Sequence, residues 1–299
     1  MPSPLTLSEA RPVLRGLPGA GTERRTRTSA VRPHVELEVV IPVLDEEQRL
    51  PATLARTVEH LAGQDYTSAV VVVDNGSVDA TAEIVRRASR GSAVPLHLIG
   101  CATPGKGAAV RRGLTTGRSR YVGFMDADLA TPIETLDRVV PLLRAGATAV
   151  IGSRHAAGAE RVVLQGRVRR AGGEVFRAAS RAVLPGVSDT QCGFKFFSGP
   201  VVRRVLADCR VDGFSFDVEL LGRLQRGGQV IVEVPVLWTD RPGSTFSPLR
   251  HGWRSFTDTL RVRRLLAGTS VSLPPVVLDL EAPRTVEPRS TEPLRAGSR

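Results

Sequence analysis

The run Ala69-Val-Val-Val-Val73 constrains this chain more than any other feature. An aliphatic stretch so short, without polar alternation, reads as a β-strand covered on both faces. Its neighbours carry a different period. In residues 48–62, Leu50, Leu54, Val58 and Leu61 fall on one helical face. The same exchange of periods continues along the chain. Strands are expected at Val35–Val43, 95–100, 121–125 and 147–152, with helices at 79–90 and 106–117. Thr131-Pro-Ile-Glu134 predicts a further helix start, with Thr131 as N-cap, Pro132 in the first turn and Glu134 closing a capping box. Strands alternating with helices through short loops imply an α/β fold: a mostly parallel central sheet with helices on both faces. After residue 154 the pattern is less regular. Helices near 170–184, 199–208 and 215–227 and strands near 193–198 and 229–237 complete the expectation.

Residues 1–34 and 269–299 are rich in Pro, Gly, Ser, Thr and Arg without an apolar period, so both read as disordered tails around one domain at 35–268. No apolar run reaches the roughly 18 residues of a membrane span, and residues 1–34 hold no signal-peptide core. Three cysteines without a CxxC pair argue against a disulfide framework or a structural zinc, and the expected compartment is the cytoplasm. The net charge is +11, and 39 of the 41 basic residues are arginine; Lys106 and Lys195 are the only lysines. The excess is local. It lies in 1–34 (six Arg, two Glu), 154–181 (seven Arg, two Glu) and 241–264 (six Arg, one Asp). Such stretches suit an anionic surface or a solvated face equally. Nucleic acid is disfavoured, because aromatics make up 4% of the chain and do not interleave with the arginines.

Ligands of open α/β sheets bind beyond the carboxyl ends of the strands, and the polar motifs fall there. Asp74-Asn-Gly-Ser77 follows the central aliphatic run, with Asp79 opening the next helix. Asp74 suits a nucleobase N–H or a ribose hydroxyl; a plain turn with an N-cap at Asp79 is the alternative. Asp126-Ala-Asp128 follows the strand at 121–125, and two such carboxylates can share a hard divalent cation. Gly100-Cys-Ala-Thr-Pro-Gly-Lys-Gly107 nearly matches a P-loop, but Gly107 lacks the hydroxyl that holds magnesium, which leaves a nucleotide triphosphatase as a minor reading. Asp189-Thr-Gln-Cys-Gly-Phe-Lys-Phe-Phe197 surrounds Lys195 with aromatics. Phe214-Ser-Phe-Asp-Val-Glu219 places Asp217 and Glu219 at a helix start, where both could be surface acids complementing the dipole.

Taken together, these segments resemble the family-2 glycosyltransferases of the GT-A fold, in particular the dolichyl- or polyprenyl-phosphate glucosyltransferase branch, with the dolichyl-phosphate mannosyltransferases nearby. The resemblance covers about residues 37–266 and runs in family order through Ile41–Glu47, Val71–Asp79, Gly105–Gly113, Asp126–Thr131, Ile151–Arg154, Asp189–Lys195 and Phe216–Leu221, with Trp238-Thr and Pro242-Gly-Ser244 extending it. Three positions depart from it. The family often has Asn-Glu at Asp45-Glu46 and a second Asp at Asn75. Its mannosyl branch has a Gln where this chain has Ala130.

The resemblance implies inverting transfer of a hexose, glucose first, from a nucleotide diphosphate such as UDP to a polyprenyl phosphate. Pro42, Asp45, Glu46, Asp74, Gly76, Gly105, Lys106 and Asp126 would hold the nucleotide. Asp126 and Asp128 would hold Mg²⁺ or Mn²⁺. Arg154, with Arg169 or Arg170, would clamp the acceptor phosphate, and Asp217 and Glu219 would orient sugar or acceptor. Gln191 and Lys195 would join the site. GDP-mannose as donor, or a soluble acceptor, is the alternative within the family. Residues 249–266 suggest the route to the lipid. Leu249, Trp253, Phe256, Leu260 and Leu265 recur mostly on one helical face, flanked or opposed by Arg250, Arg254, Arg261 and Arg264. That pattern fits peripheral attachment to an anionic inner membrane face, or a helix packed on its own domain.

Overall fold

The computed structural model describes residues 35–162, 177–178, 180–239, 258, 261–267 and 273. Both expected tails therefore fall outside it, save Leu273.

The run Ala69–Val73 is the heart of β2 (Ser68–Asp74), and its five residues are all buried. It pairs in parallel with β1 (Leu37–Val43) on one side and β3 (Leu96–Gly100) on the other. β1 pairs in parallel with β4 (Tyr121–Met125). The sheet continues through β7 (Phe194–Ser198), β5 (Ala149–Ser153) and β8 (Ile231–Pro235), in the order β3-β2-β1-β4-β7-β5-β8. Only β7 runs against its neighbours. β6 (Glu160–Val162) and β9 (Leu237–Thr239) form a separate parallel pair. The expected strand at 229–237 is thus two, and Val236 between them turns the chain from one sheet to the other.

Strand alternation divides the core into two layers. Leu37, Val39 and Ile41 of β1 and Val70 and Val72 of β2 pack with α1 (Leu50–Ala62), α2 (Thr81–Ser89) and α4 (Leu136–Arg144). Val40, Val71 and Val73 face α3 (Lys106–Thr116), α5 (Gly199–Leu206) and α6 (Phe216–Arg226). Helices on both faces are what burial of both strand faces requires. The strand order reverses at β1, since the chain lays β2 and β3 on one side of it and β4 on the other. The carboxyl ends of β1 and β4 therefore open into the switch-point crevice of a doubly wound sheet.

One local expectation fails. The capping box at Thr131 does not form; Ile133–Thr135 is a 3₁₀ turn that leads into α4. Thr131 is buried and its Oγ1 meets Cys192 Sγ at 3.6 Å, while Glu134 pairs with Arg56 of α1. Tertiary partners have displaced the local cap. The helix expected near 170–184 is described at 177, 178 and 180–184, of which all but Leu184 are helical.

Candidate active site

Three loops meet at the carboxyl ends of β1, β2 and β4, and backbone–side-chain bonds hold the first two together. The N–H groups of Asp45, Glu46 and Glu47 donate to Ser77 Oγ, Thr81 Oγ1 and Asp79 Oδ2 at 2.8–3.0 Å. In return, Asp45 Oδ1 accepts from Val78 N–H and Glu47 Oε2 from Ala80 N–H. Asp45 takes a left-handed conformation (φ 54°), which an acidic or amide side chain tolerates better than most. Asp74 Oδ1 accepts the N–H groups of Gly76 and Ser77, closing a turn over the strand end. Pro42 lies within β1 opposite Val73.

Asn75 ties this pair of loops to the turn before α3. Its Nδ2 donates to the carbonyls of Cys101 and Thr103, and its Oδ1 accepts from Gly105 N–H at 2.8 Å. A carboxylate could not make the first two bonds, so the amide here has a physical reason. Gly105 has φ 122°, and a Cβ there would lie 2.3 Å from the Asp212 carbonyl. Only glycine lets the chain enter α3 at this point.

Lys106 opens α3, and its Nζ lies 2.6 Å from Asp126 Oδ1. Asp126 leaves β4 with its N–H donated to the Gly193 carbonyl. A Cβ on residue 193 would fall 2.0 Å from Asp126 Oδ2, so the glycine makes room for the carboxylate itself. Asp128 bends back to accept Ala130 N–H at 3.0 Å, and Leu129 between them is left-handed (φ 53°).

The crevice gathers several carboxylates around one lysine. Burial, and then the Asp126 charge, push Asp128 above the usual carboxylate range. Glu46 is raised for the same first reason; Arg49 pulls it down through a two-point contact at 2.7 Å, and Asp128 and Asp126 push it up. Burial works against the charge on Lys106, but Asp126, Asp217 and Asp128 outweigh it and raise its pKa. Among the described residues no three or more His, Cys, Asp or Glu side chains are grouped to enclose a metal. A divalent cation at Asp126 and Asp128 thus fits as a partly open site, completed by water or diphosphate oxygens.

Behind the crevice lies a buried row of charges. Lys195 comes from the middle of β7 and is wholly buried. Its Nζ donates to the Cys192 carbonyl, lies 3.2 Å from Asp217 Oδ1, and sits 5.3 Å from the Phe124 ring centroid. Asp217, in the first turn of α6, is raised by burial, which Lys195 and Lys106 oppose.

Arg154 follows β5. Its Nε and Nη2 donate to Asp189 at 2.7 and 2.9 Å, its N–H donates to the same carboxylate, and its guanidinium lies 5.5 Å from the Trp238 ring centroid. Burial opposes the Asp189 charge, but Arg154 outweighs it and holds that carboxyl well below the usual range. Arg169 and Arg170 lie outside the described residues. Gln191 stays beside this pair; its N–H donates to Asp189 Oδ1 and its side-chain amide to the Thr190 carbonyl.

Glu219 departs from the surface-acid reading. It neither faces the crevice nor complements the dipole from the surface. It is fully buried, accepts the N–H groups of Arg210 and Val211 at 2.8 Å, and pairs with Arg223 one helical turn on. Glu219→Gln is therefore expected to cost about 3–5 kcal/mol, because it leaves Arg223 buried and uncompensated. Urea denaturation measures that loss, and turnover per folded molecule should stay near the parent value. Sequence reasoning also missed Arg49, which its three-residue spacing from Glu46 could have revealed, and Asp189 as the partner of Arg154, which no spacing reveals.

The chain is similar to known proteins over most of its length. Residues 38–206 match the model for "Glycosyl transferase family 2". The chain is 34% identical over 233 residues to a dolichyl-phosphate beta-glucosyltransferase of Drosophila melanogaster, covering 72% of this chain and 71% of that one. It is 30% identical over 251 residues to one of Dictyostelium discoideum, covering 79% and 76%. Among solved structures it resembles glucosyl-3-phosphoglycerate synthase of Mycobacterium tuberculosis in complex with UDP. The TM-score is 0.58 at 22% identity, over 77% of this chain and 80% of that one. The same enzyme in complex with Mn²⁺, UDP and glucosyl-3-phosphoglycerate gives 0.55.

Proposed function

The chain belongs to glycosyl transferase family 2, and from that premise we propose that it moves a hexose, glucose before mannose, from a nucleotide diphosphate to the phosphate of a polyprenol, inverting the anomeric carbon. The observation that carries the reading is the set Lys106, Asp126, Asp128 and Glu46 converging where β1 and β4 end. The relatives named dolichyl-phosphate beta-glucosyltransferase support glucose and a lipid phosphate as the substrates.

In this reading the loop Pro42–Glu46, the turn Asp74–Gly76 and the turn Gly105–Lys106 hold the nucleotide. Asp126 and Asp128 hold Mg²⁺ or Mn²⁺, which when bound offsets the charge of the departing diphosphate. Lys106 adds a positive charge on the same side. The acceptor phosphate is already ionised near neutral pH, so the chain needs no strong base. Its task is to place the phosphate oxygen in line with the anomeric carbon and keep water away. Arg154, held in place by Asp189, would clamp the acceptor phosphate together with Arg169 or Arg170. Incubation with labelled UDP-glucose or GDP-mannose, with and without polyprenyl phosphate, tests the proposal. Label should enter the organic phase only with the lipid and a divalent cation, and faster from UDP-glucose. Label that stays in water under all conditions would overturn it.

No helix among the described residues is long and apolar enough to cross a membrane. We place the enzyme at the inner membrane face as a peripheral protein. Residues 261–267 are helical, with Val262 and Leu266 fully buried and Arg261, Arg263 and Arg264 exposed. Leu266 packs on Gly222 of α6, and Leu265, the one described residue of the stripe, is half-buried against the same core layer, so this turn faces its own domain while its arginines are exposed. Leu249, Arg250, Trp253, Arg254, Phe256 and Leu260 lie outside the described residues. The protein is expected to co-sediment with anionic but not neutral vesicles. Each arginine near such a surface contributes on the order of 1 kcal/mol, so Arg261→Glu with Arg264→Glu should weaken binding roughly tenfold or more. Equal binding of parent and variant would remove this helix from the interface.

A further inference from the structure

In a chain with 39 arginines, the charges of both lysines act on one carboxylate. Lys195 Nζ lies 3.2 Å from Asp217 Oδ1. Lys106 is near Asp217 because the starts of α3 and α6 touch. A Cβ on Gly107 would fall 2.5 Å from Phe216 Cβ, and Ala108 N–H donates to the Asp212 carbonyl. Residues 106 and 217 adjoin that contact, and the charges of Lys106 and Asp217 act on each other. Lys106 nevertheless spends its close contact on Asp126 Oδ1, at 2.6 Å. Asp217 Oδ1 is buried, and its approach to Lys195 does not meet hydrogen-bond geometry. A buried carboxylate oxygen in that state gains from a further donor. A lysine can supply one, since its flexible stem and three rotatable protons exchange partners more readily than a planar arginine fork.

We propose that Lys106 is a movable counter-charge which competes with the divalent cation for Asp126, and that Asp217, anchored by Lys195, receives Lys106 when the cation takes its place. The proposal rests on the reading of Asp126 and Asp128 as the metal-holding pair. Asp217 is then a positioning residue that acts through Lys106. Its burial beside the crevice, with no solvent role and an oxygen to spare, is what that task requires. The exchange also keeps charge balanced. A cation arriving while Lys106 remained on Asp126 would meet direct repulsion, whereas Asp217 offers the lysine a carboxylate outside the metal pair.

The test is Mn²⁺ binding to the full chain without nucleotide, read from the electron paramagnetic resonance of free Mn²⁺. Lys106→Met removes the competitor and should tighten Mn²⁺ binding about tenfold or more. Asp217→Asn removes the receiving carboxylate and should weaken it severalfold. Asp217→Glu, which restores the charge, should bind nearly as the parent does. In the double variant Lys106→Met with Asp217→Asn, binding should match Lys106→Met alone, because Asp217 acts only through the lysine. Unchanged or weaker Mn²⁺ binding by Lys106→Met overturns the proposal, and this arm does not depend on how well the Asp217 variants fold. So does an Asp217→Asn effect of equal size with and without Lys106. Asp128→Asn separates the failures. If it weakens Mn²⁺ binding while Lys106→Met changes nothing, the metal pair stands and the exchange falls. If neither variant alters Mn²⁺ binding, both fall.

Discussion

Asp128→Asn is expected to lower hexosyl transfer by roughly 10²–10³-fold at saturating Mg²⁺ or Mn²⁺, the equivalent of several kcal/mol of lost charge stabilisation. The fold should survive the change. Asn keeps the oxygen that accepts Ala130 N–H, and the position lies on a loop, not in a strand. Stability has a definite sign as well. Burial and the Asp126 charge raise the Asp128 pKa, so its ionised form is disfavoured in the folded state. A group raised in this way destabilises the protein at pH values above its unfolded pKa, and the penalty fades as the pH falls and the carboxyl protonates. At neutral pH the amide should therefore be neutral or slightly stabilising in urea denaturation. Loss of activity together with loss of stability would point to a structural role. Full activity would remove Asp128 from the metal pair.

Lys195→Met is expected to cost as much stability as Glu219→Gln. The variant fills a similar volume but leaves Asp217 buried without its cation and the Cys192 carbonyl without its donor. Removing one partner of a buried pair costs about 3–5 kcal/mol. That should move the urea midpoint far below the parent value. Adding Asp217→Asn removes the stranded charge, so the double variant should be more stable than the sum of the two losses by about 0.5–3 kcal/mol. A Lys195→Met protein within about 1 kcal/mol of the parent would mean that the pair is no more than a surface-like contact.

Much of the architecture is legible because single-strand and single-helix periods specify it. The run at 69–73 demands two covered faces, and the structure supplies α1, α2 and α4 on one and α3, α5 and α6 on the other. Direction and neighbour are not local properties. Nothing in Phe194–Ser198 says that this strand inserts between β4 and β5 and runs against both. The failed capping box at Thr131 has the same origin, since Cys192 lies 61 residues away in sequence.

The site divides in a similar way. Asp126, Asp128 and Lys106 were readable as residues that follow strands, where α/β sheets place ligands. Asp217 and Glu219 were read as a pair, yet positions two apart on a helix point in nearly opposite directions. That rule alone predicts that at most one of them faces the crevice, and Asp217 is the one beside the lysines. The partner of Arg154 in this structure is Asp189, 35 residues away in sequence. An arginine fork fits a carboxylate as well as a phosphate, and sequence spacing does not choose between them.

In the proposed reaction a lipid phosphate oxygen attacks the anomeric carbon of the donor sugar. Carbon-13 and phosphorus-31 NMR of the organic-phase product made from anomerically labelled UDP-glucose tests this step. An anomeric carbon coupled to a single phosphorus, in the β configuration, is expected, with one equivalent of UDP released. An anomeric carbon bonded to an alcohol oxygen, retention of the α configuration, or free glucose in water would contradict it.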